Sequence, residues 1–297
     1  MRHALVLTAV LASAPCRAAD EVPDWVRQAA QQAVPSYPPK VTSVVLLHEE
    51  TVTVHPDGSR VTRERGVEKV LEPGGEAVRA GREYDARAGR IRDFQGWMIP
   101  PSGKPMAYPK NRIVDIALET DNVYDEARAK VLDFGKNPPG TVMAWEISEE
   151  KKTVFTEDGF EFQDREPVLL SRFAVTLPGS WESRGIVFKH APVEPVVSGS
   201  TSTWELRNLA PIEREDFSPS IRALAPRLAL SYFPPPGTPN LQGLKDWAAV
   251  SSWLAPMVDP PAGLTDSIRA KARELTADAA GELARIAAIA RFVQQTN

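Results

Sequence analysis

The stretch VTSVVLLHEETVTVHPDGSRVTRERGVEKV, residues 41–70, decides the fold. From Val41 onward apolar residues take alternate positions. Val44, Leu46, Val52 and Val54 are expected on one face and Glu49, Thr51 and Thr53 on the other, the period of a strand. His55-Pro56-Asp57-Gly58-Ser59 interrupts this with an Asp-Gly pair, which tolerates the positive backbone angles of a tight turn. Val61, Val67 and Val70 carry the chain back, so the segment is expected to form a hairpin.

Strand-like segments continue beyond it. Residues 91–99, with Trp97, enter the turn Pro101-Ser102-Gly103-Lys104, and 106–116 are expected to return. Val123-Tyr124 opens a strand that runs through Ala127, Ala129 and Val131 towards Phe134. Pro138-Pro139-Gly140 is expected to turn it into a partner at 141–145. Residues 160–162, 169–177, 186–189 and 202–206 complete the series. Short strands punctuated by Gly and Pro, with hardly any helical period between 41 and 209, predict a mainly β protein built as an antiparallel β-sandwich. The 27 prolines suit strands and loops better than helices.

Helical period is confined to the two ends. Pro23 and Asp24 open an alanine- and glutamine-rich run that predicts a short helix before Pro35, Pro38 and Pro39. Near the other end Leu244, Trp247, Ala248, Ser251 and Leu254 recur at helical spacing until Pro256, Pro260 and Pro261, which are expected to break the helix. Thr265 and Asp266 cap a second helix with Ile268, Ala272 and Leu275 inward. Asp278 is expected to cap a third, whose stripe is Leu283, Ile286, Ala287, Ala290 and Val293. That stripe wants an apolar surface larger than the chain supplies after it. The expected organisation is a leader at 1–19, a short helix and linker at 20–40, the sandwich at 41–224, a Pro-rich linker at 225–240 and an all-α segment at 241–297.

Two resemblances lie on these residues. His55-Pro56-Asp57-Gly58-Ser59, Gly96-Trp97-Met98-Ile99-Pro100-Pro101-Ser102-Gly103-Lys104, Val123-Tyr124-Asp125-Glu126-Ala127-Arg128, Pro139-Gly140-Thr141-Val142, Arg165-Glu166-Pro167 and Trp204-Glu205-Leu206-Arg207-Asn208-Leu209 resemble the transglutaminase-associated DUF3857 domain of exported bacterial proteins. The run from Trp247 to Trp253, with 268–276 and Ala287-Ala288-Ile289-Ala290-Arg291-Phe292-Val293-Gln294, is similar to the opening helices of transglutaminase-like domains, which are papain-related thiol enzymes. The second resemblance implies an incomplete domain, since in that family the nucleophilic cysteine, the histidine and the aspartate come further along.

Arg2 and His3 precede an uncharged apolar run from Ala4 to Ala14, and Ala18-Ala19 supply small residues for cleavage, the pattern of a secretory signal peptide. Cys16 is the one cysteine and would leave with the leader, so the mature chain is expected to hold neither a disulfide nor a thiol nucleophile. The net charge of −4, without any basic block, argues against nucleic acid as a partner. No later stretch approaches the roughly 18 apolar residues of a membrane span. The protein is therefore expected outside the cytoplasm, periplasmic or extracellular.

Chemistry-bearing residues are sparse. His48, His55 and His190 are scattered, and His48-Glu49-Glu50 has no histidine four residues after the first, so no metal or cofactor is expected. Trp97, Trp145, Trp181 and Trp204 could stack on a glycan if exposed, although tryptophan in a sandwich is mostly core. A binding surface could be assembled from Trp97, Tyr124, Asp125 and Arg128; the Asp121–Arg128 region reads equally as an Asx turn closing a hairpin. Glu149 with Glu157 or Asp158 would be the carboxylate pair of a glycoside hydrolase, or a solvated turn beside Lys151 and Lys152. The functional expectation is a non-catalytic domain that positions a transglutaminase-like thiol domain or recognises its protein or peptide substrate. The alternatives are a carbohydrate-binding module of the cell envelope and a fragment of a complete thiol peptidase.

Overall fold

The computed structural model describes residues 22–75, 77–118, 126–152, 156–213, 215–238, 244, 246–259 and 263–296. The leader, Tyr124 and Asp125 lie outside them. The described residues belong to two units, one within Met1–Gly243 and one within Leu244–Asn297.

The first unit is mainly β, as the alternation requires. In chain order it contains α1 (Asp24–Ala30), β1 (Ser43–Val54), β2 (Ser59–Val70), β3 (Val78–Asp85), β4 (Gly89–Ile99), β5 (Met106–Ala107) and, after a 3₁₀ turn at Lys110–Arg112, β6 (Ile113–Ala117). There follow β7 (Ala127–Gly135), β8 (Val142–Lys152), β9 (Glu157–Glu161), β10 (Val168–Thr176), β11 (Glu182–Phe188), β12 (Val196–Ser198), β13 (Thr201–Leu209), α2 (Ile221–Leu224) and β14 (Arg227–Phe233). The large sheet has the order β12-β13-β10-β1-β2-β8-β4-β5, and two small sheets, β11-β14-β9 and β3-β7-β6, stand apart from its hydrogen bonding.

The β1–β2 hairpin forms as its turn chemistry dictates. Gly58 has φ of +81°, and Asp57 Oδ1 accepts from the Ser59 backbone N at 3.0 Å. Val44, Leu46, Val52 and Val54 of β1 are all buried, but they do not share a face. A bulge between Val45 and Leu47 reverses the alternation. Val44 and Leu46 pack with Val22, Val26 and Ala29 around α1, whereas Val52 and Val54 pack with Phe160, Phe173 and Trp204. The large sheet is thereby buried on both faces, an outer one under α1 and an inner one under the two small sheets.

Four features depart from the sequence reading. β10 lies parallel to β1 within an otherwise antiparallel sheet. β7 does not pair with β8; it joins β3 and β6 while β8 joins β2 and β4, so Pro138-Pro139-Gly140 is a crossover between sheets. Along β7 the buried positions are Ala129, Leu132 and Phe134 instead of Val131. The supposed linker at 225–240 contains β14, the central strand of β11-β14-β9, with Leu228, Leu230 and Tyr232 buried on alternate positions.

In the second unit α3 (Trp247–Val258), α4 (Asp266–Thr276) and α5 (Glu282–Thr296) follow one another. Pro256 lies in the last turn of α3, where a missing N–H removes a single ladder bond and does not end the helix. Thr265 caps α4, accepting from Ile268 N at 3.3 Å, while α5 begins at Glu282, four residues after Asp278. α4 packs on α5, and Leu283, Ile286 and Val293 remain exposed.

Candidate functional site

A groove crosses the inner face of the large sheet. Its floor carries Val45 and His48 of β1, Glu68 of β2 and Trp145 of β8; one wall is Ala77 with the start of β3 at Val78 and Arg79, the other the β9–β10 connection at Gln163, Asp164 and Glu166. The cavity measures about 620 Å³. A second hollow of about 290 Å³ meets it at His48 and runs under β9 and β14 past Phe160 and Arg227. His48 stacks on Phe160 with ring centroids 4.7 Å apart, and Ser171 Oγ lies 3.5 Å from its Nδ1. Ser171 is fully buried and that separation is at the limit of a hydrogen bond.

The carboxylates around the groove fall into two chemical kinds. Glu50, Glu64 and Glu149 converge on Arg82 from β3: Nε donates to Glu149 Oε2 at 2.7 Å, and Nη1 donates to Glu50 Oε2 at 2.7 Å and to Glu64 Oε2 at 3.1 Å. Burial alone would lower the Arg82 pKa, but Glu50, Glu149 and Glu64 outweigh it and hold the guanidinium more firmly protonated than usual. Trp145 Nε1 completes the cluster by donating to Glu64 Oε1 at 3.2 Å. Towards the other small sheet, Arg60 is ion-paired with Asp158 of β9 in a buried contact. Burial pushes the Asp158 carboxyl up to about 6 despite Arg60, and the Tyr232 phenol beside them up to about 12. These ion pairs join the large sheet to each small one.

Glu68 is of the second kind: among the described residues no lysine or arginine forms an ion pair with it. Burial raises its pKa to about 7 against an opposing hydrogen bond with Ser43, and the Glu166 carboxylate adds to the rise. The folded value exceeds the unfolded 4.5, so the folded state holds the extra proton between them. Its stability contribution is complete below the unfolded value and is lost as pH rises through about 7. Glu68→Gln should therefore stabilise the protein at pH 8 by about 1–2 kcal/mol after allowance for solvent screening. It should also flatten the fall in stability between pH 5 and 8, measured by urea unfolding; an unchanged slope would count against this assignment.

Of the sequence-derived site residues, Trp97 and Arg128 are described, while Tyr124 and Asp125 lie outside the described residues. Trp97 is 6% exposed and meets Trp25 edge-on at 5.7 Å in the outer-face core, so its ring is withdrawn from any binding surface. Arg128 lies on β7, where its Nε donates to Asp115 Oδ1 at 2.9 Å and Tyr84 OH donates to the other oxygen at 2.8 Å. Trp204 is core, packed beside Phe173. Glu149 and Asp158 are each held by an arginine, unlike a free acid and base working on one substrate. Among the described residues no cluster of His, Cys, Asp or Glu is arranged to hold a metal ion, and no helix is long and apolar enough to cross a membrane. Arg82 and Glu68 escaped the sequence reading. The alternation of Val78, Ala80, Arg82 and Tyr84 could have revealed β3, with the arginine on its apolar side.

A family model described as "Domain of Unknown Function with solved-structure structure (DUF3857)" matches residues 56–213, more than half of the chain. No curated protein matches it. Among solved structures, one described as a "putative protease" from Parabacteroides distasonis superposes with a TM-score of 0.64 at 16% identity, covering 86% of this chain and 50% of that one. The likeness shows a shared fold, and the chain spans half the length of that protein. An M1 zinc metallopeptidase from Deinococcus radiodurans (TM-score 0.32, 8% identity, 63% of this chain and 41% of that one) and yeast LTA4 hydrolase (0.30, 10%, 70% and 33%) are too remote to bear on the site.

Proposed function

The chain belongs to the DUF3857 family, and from that premise we propose that it is a non-catalytic recognition domain working outside the cytoplasm, holding an extended peptide segment for a thiol-enzyme domain. The observation that carries this reading is the groove. It is open and about 620 Å³ in volume; its floor carries Val45, His48, Glu68 and Trp145, and Asp164 and Glu166 stand on one wall. The cation in its lining, Arg79, is engaged by Asp133 at 3.0 Å. A predominantly polar groove that sets an indole and a valine beside three acidic side chains suits a peptide that places a lysine or arginine over the carboxylates. The apolar run after Arg2 and His3 supports export, and the helices after residue 244 support a neighbouring enzyme domain.

The glycan-binding alternative loses two of its candidate platforms, because Trp97 and Trp204 are buried. Fluorescence anisotropy with acetylated Lys- and Glu-containing tripeptides separates the readings. Lysine peptides should bind at least about fivefold more tightly than glutamate ones, roughly 1 kcal/mol, and the Glu68→Gln/Glu166→Gln double variant should erase that preference. Saturable binding on a glycan array with no binding of any peptide would overturn the proposal.

A further inference from the structure

A smaller cavity, about 240 Å³, adjoins the groove and shares Thr42, Ser43 and Glu166 with it. Its walls include the apolar Val41, Pro167, Pro211 and Ile212, and its polar side chains include Lys40, Arg165 and Glu213. Lys40 Nζ contacts Glu213 Oε1 at 2.6 Å, but both side chains are more than half exposed, so this pair is weak and exchangeable. Arg165 differs. Its Nη1 is buried and has no hydrogen-bond partner among the described residues. A guanidinium nitrogen closed to water without an acceptor is an unfavourable arrangement that native proteins rarely leave uncompensated.

The acids lining the cavity do not compensate it. Among the described residues Glu213 contacts Lys40, and neither Glu213 nor Glu166 forms an ion pair with Arg165. The group that matches a guanidinium in geometry and charge is a carboxylate, which accepts two parallel N–H bonds. The apolar walls and the volume leave room for one small side chain beside it.

We propose that the Arg165 cavity is a terminal-carboxylate subsite, receiving the C-terminus of a peptide whose preceding residues lie in the adjoining groove. The inference rests on reading that groove as a peptide site and narrows it: the ligand is a chain end, with its carboxylate at Arg165 and a basic residue towards Glu68, Asp164 and Glu166. Charges of opposite sign at the two ends of the ligand fix its direction in the groove.

Calorimetric titration of the whole protein with acetyl-Lys-Ala-Ala as the free acid, with the same peptide as its C-terminal amide, and with inorganic phosphate tests the assignment. The free acid should bind at least about tenfold more tightly than the amide. Arg165→Met should abolish the difference and Arg165→Lys should keep part of it, with folding of both checked by circular dichroism. The acid-to-amide comparison requires no variant, so it stands even if Arg165→Met fails to fold. Equal binding of acid and amide overturns this inference while leaving the groove as a peptide site, whereas binding of neither overturns both. A preference that survives in folded Arg165→Met, or phosphate binding more tightly than the free acid, also overturns it.

Discussion

Replacing Arg82 by methionine should lower the stability of the β unit by about 3–5 kcal/mol. The variant would leave Glu50, Glu64 and Glu149 facing one another without their cation, and Glu149 is almost fully buried. Removing one partner of a buried ion pair is far more damaging than removing both, since the remaining charges keep their desolvation penalty. In a unit of this size the loss corresponds to a fall in melting temperature of roughly 6–20 °C. Because Arg82 ties β3 to β1, β2 and β8, the wall of the groove at Ala77, Val78 and Arg79 should loosen with it, and peptide binding should fall alongside stability. The diagnostic is a double-mutant cycle by urea unfolding. Glu149→Gln in the Arg82→Met background should recover about 1–3 kcal/mol of the loss. Strictly additive effects would show that the cluster is not one electrostatic unit.

What could be read from the sequence, and what could not, follows from how local each signal is. The β1–β2 hairpin is local: alternation on both arms and an Asp-Gly turn between them are contained in residues 41–70. The bulge between Val45 and Leu47 is not, because it is defined by two residues of β1 opposing one step of β2, and without it the faces of Val44 and Val52 read as the same. Parallel pairing of β1 with β10 is equally silent, since it joins residues more than a hundred positions apart. At β14 a sound local signal was overridden by its surroundings. Leu228, Leu230 and Tyr232 alternate, but Pro234-Pro235-Pro236 follows directly and made the segment look like a linker. The site suffered most. Glu149 and Asp158 were visible as acids near a turn, but the arginines paired with them come from β3 and β2, and only the three-dimensional arrangement brings each acid against its arginine. The tryptophans failed for a related reason: alternation says that Trp97 faces away from its neighbours, not that α1 covers that face.

Adding one methyl group at Gly66 should be the most disruptive small change in the groove. Gly66 and Gly96 stand opposite Trp145 on the two neighbouring strands, so the central row of the inner face holds one indole between two residues without side chains. A Cβ at Gly66 would lie 2.0 Å from the indole Cζ2, and one at Gly96 would lie 2.2 Å from Leu132 Cδ2. The backbone of neither glycine requires a positive φ, so the constraint is space and not conformation. Leucine can turn away from Gly96→Ala by changing rotamer, but the indole at Gly66 is rigid and its Nε1 is committed to Glu64. Gly66→Ala should therefore cost about 2–3 kcal/mol, near the upper end for overpacking, because relief means breaking the Trp145–Glu64 hydrogen bond and disturbing the carboxylates around Arg82. Trp145→Leu should cost stability alone, yet in the Gly66→Ala background it should restore part of what the methyl group took away, a coupling of about 1 kcal/mol or more. If Gly66→Ala unfolds at the same urea concentration as the parent, the indole does not lie over Gly66 in solution, and the floor assigned to the peptide groove is wrong with it.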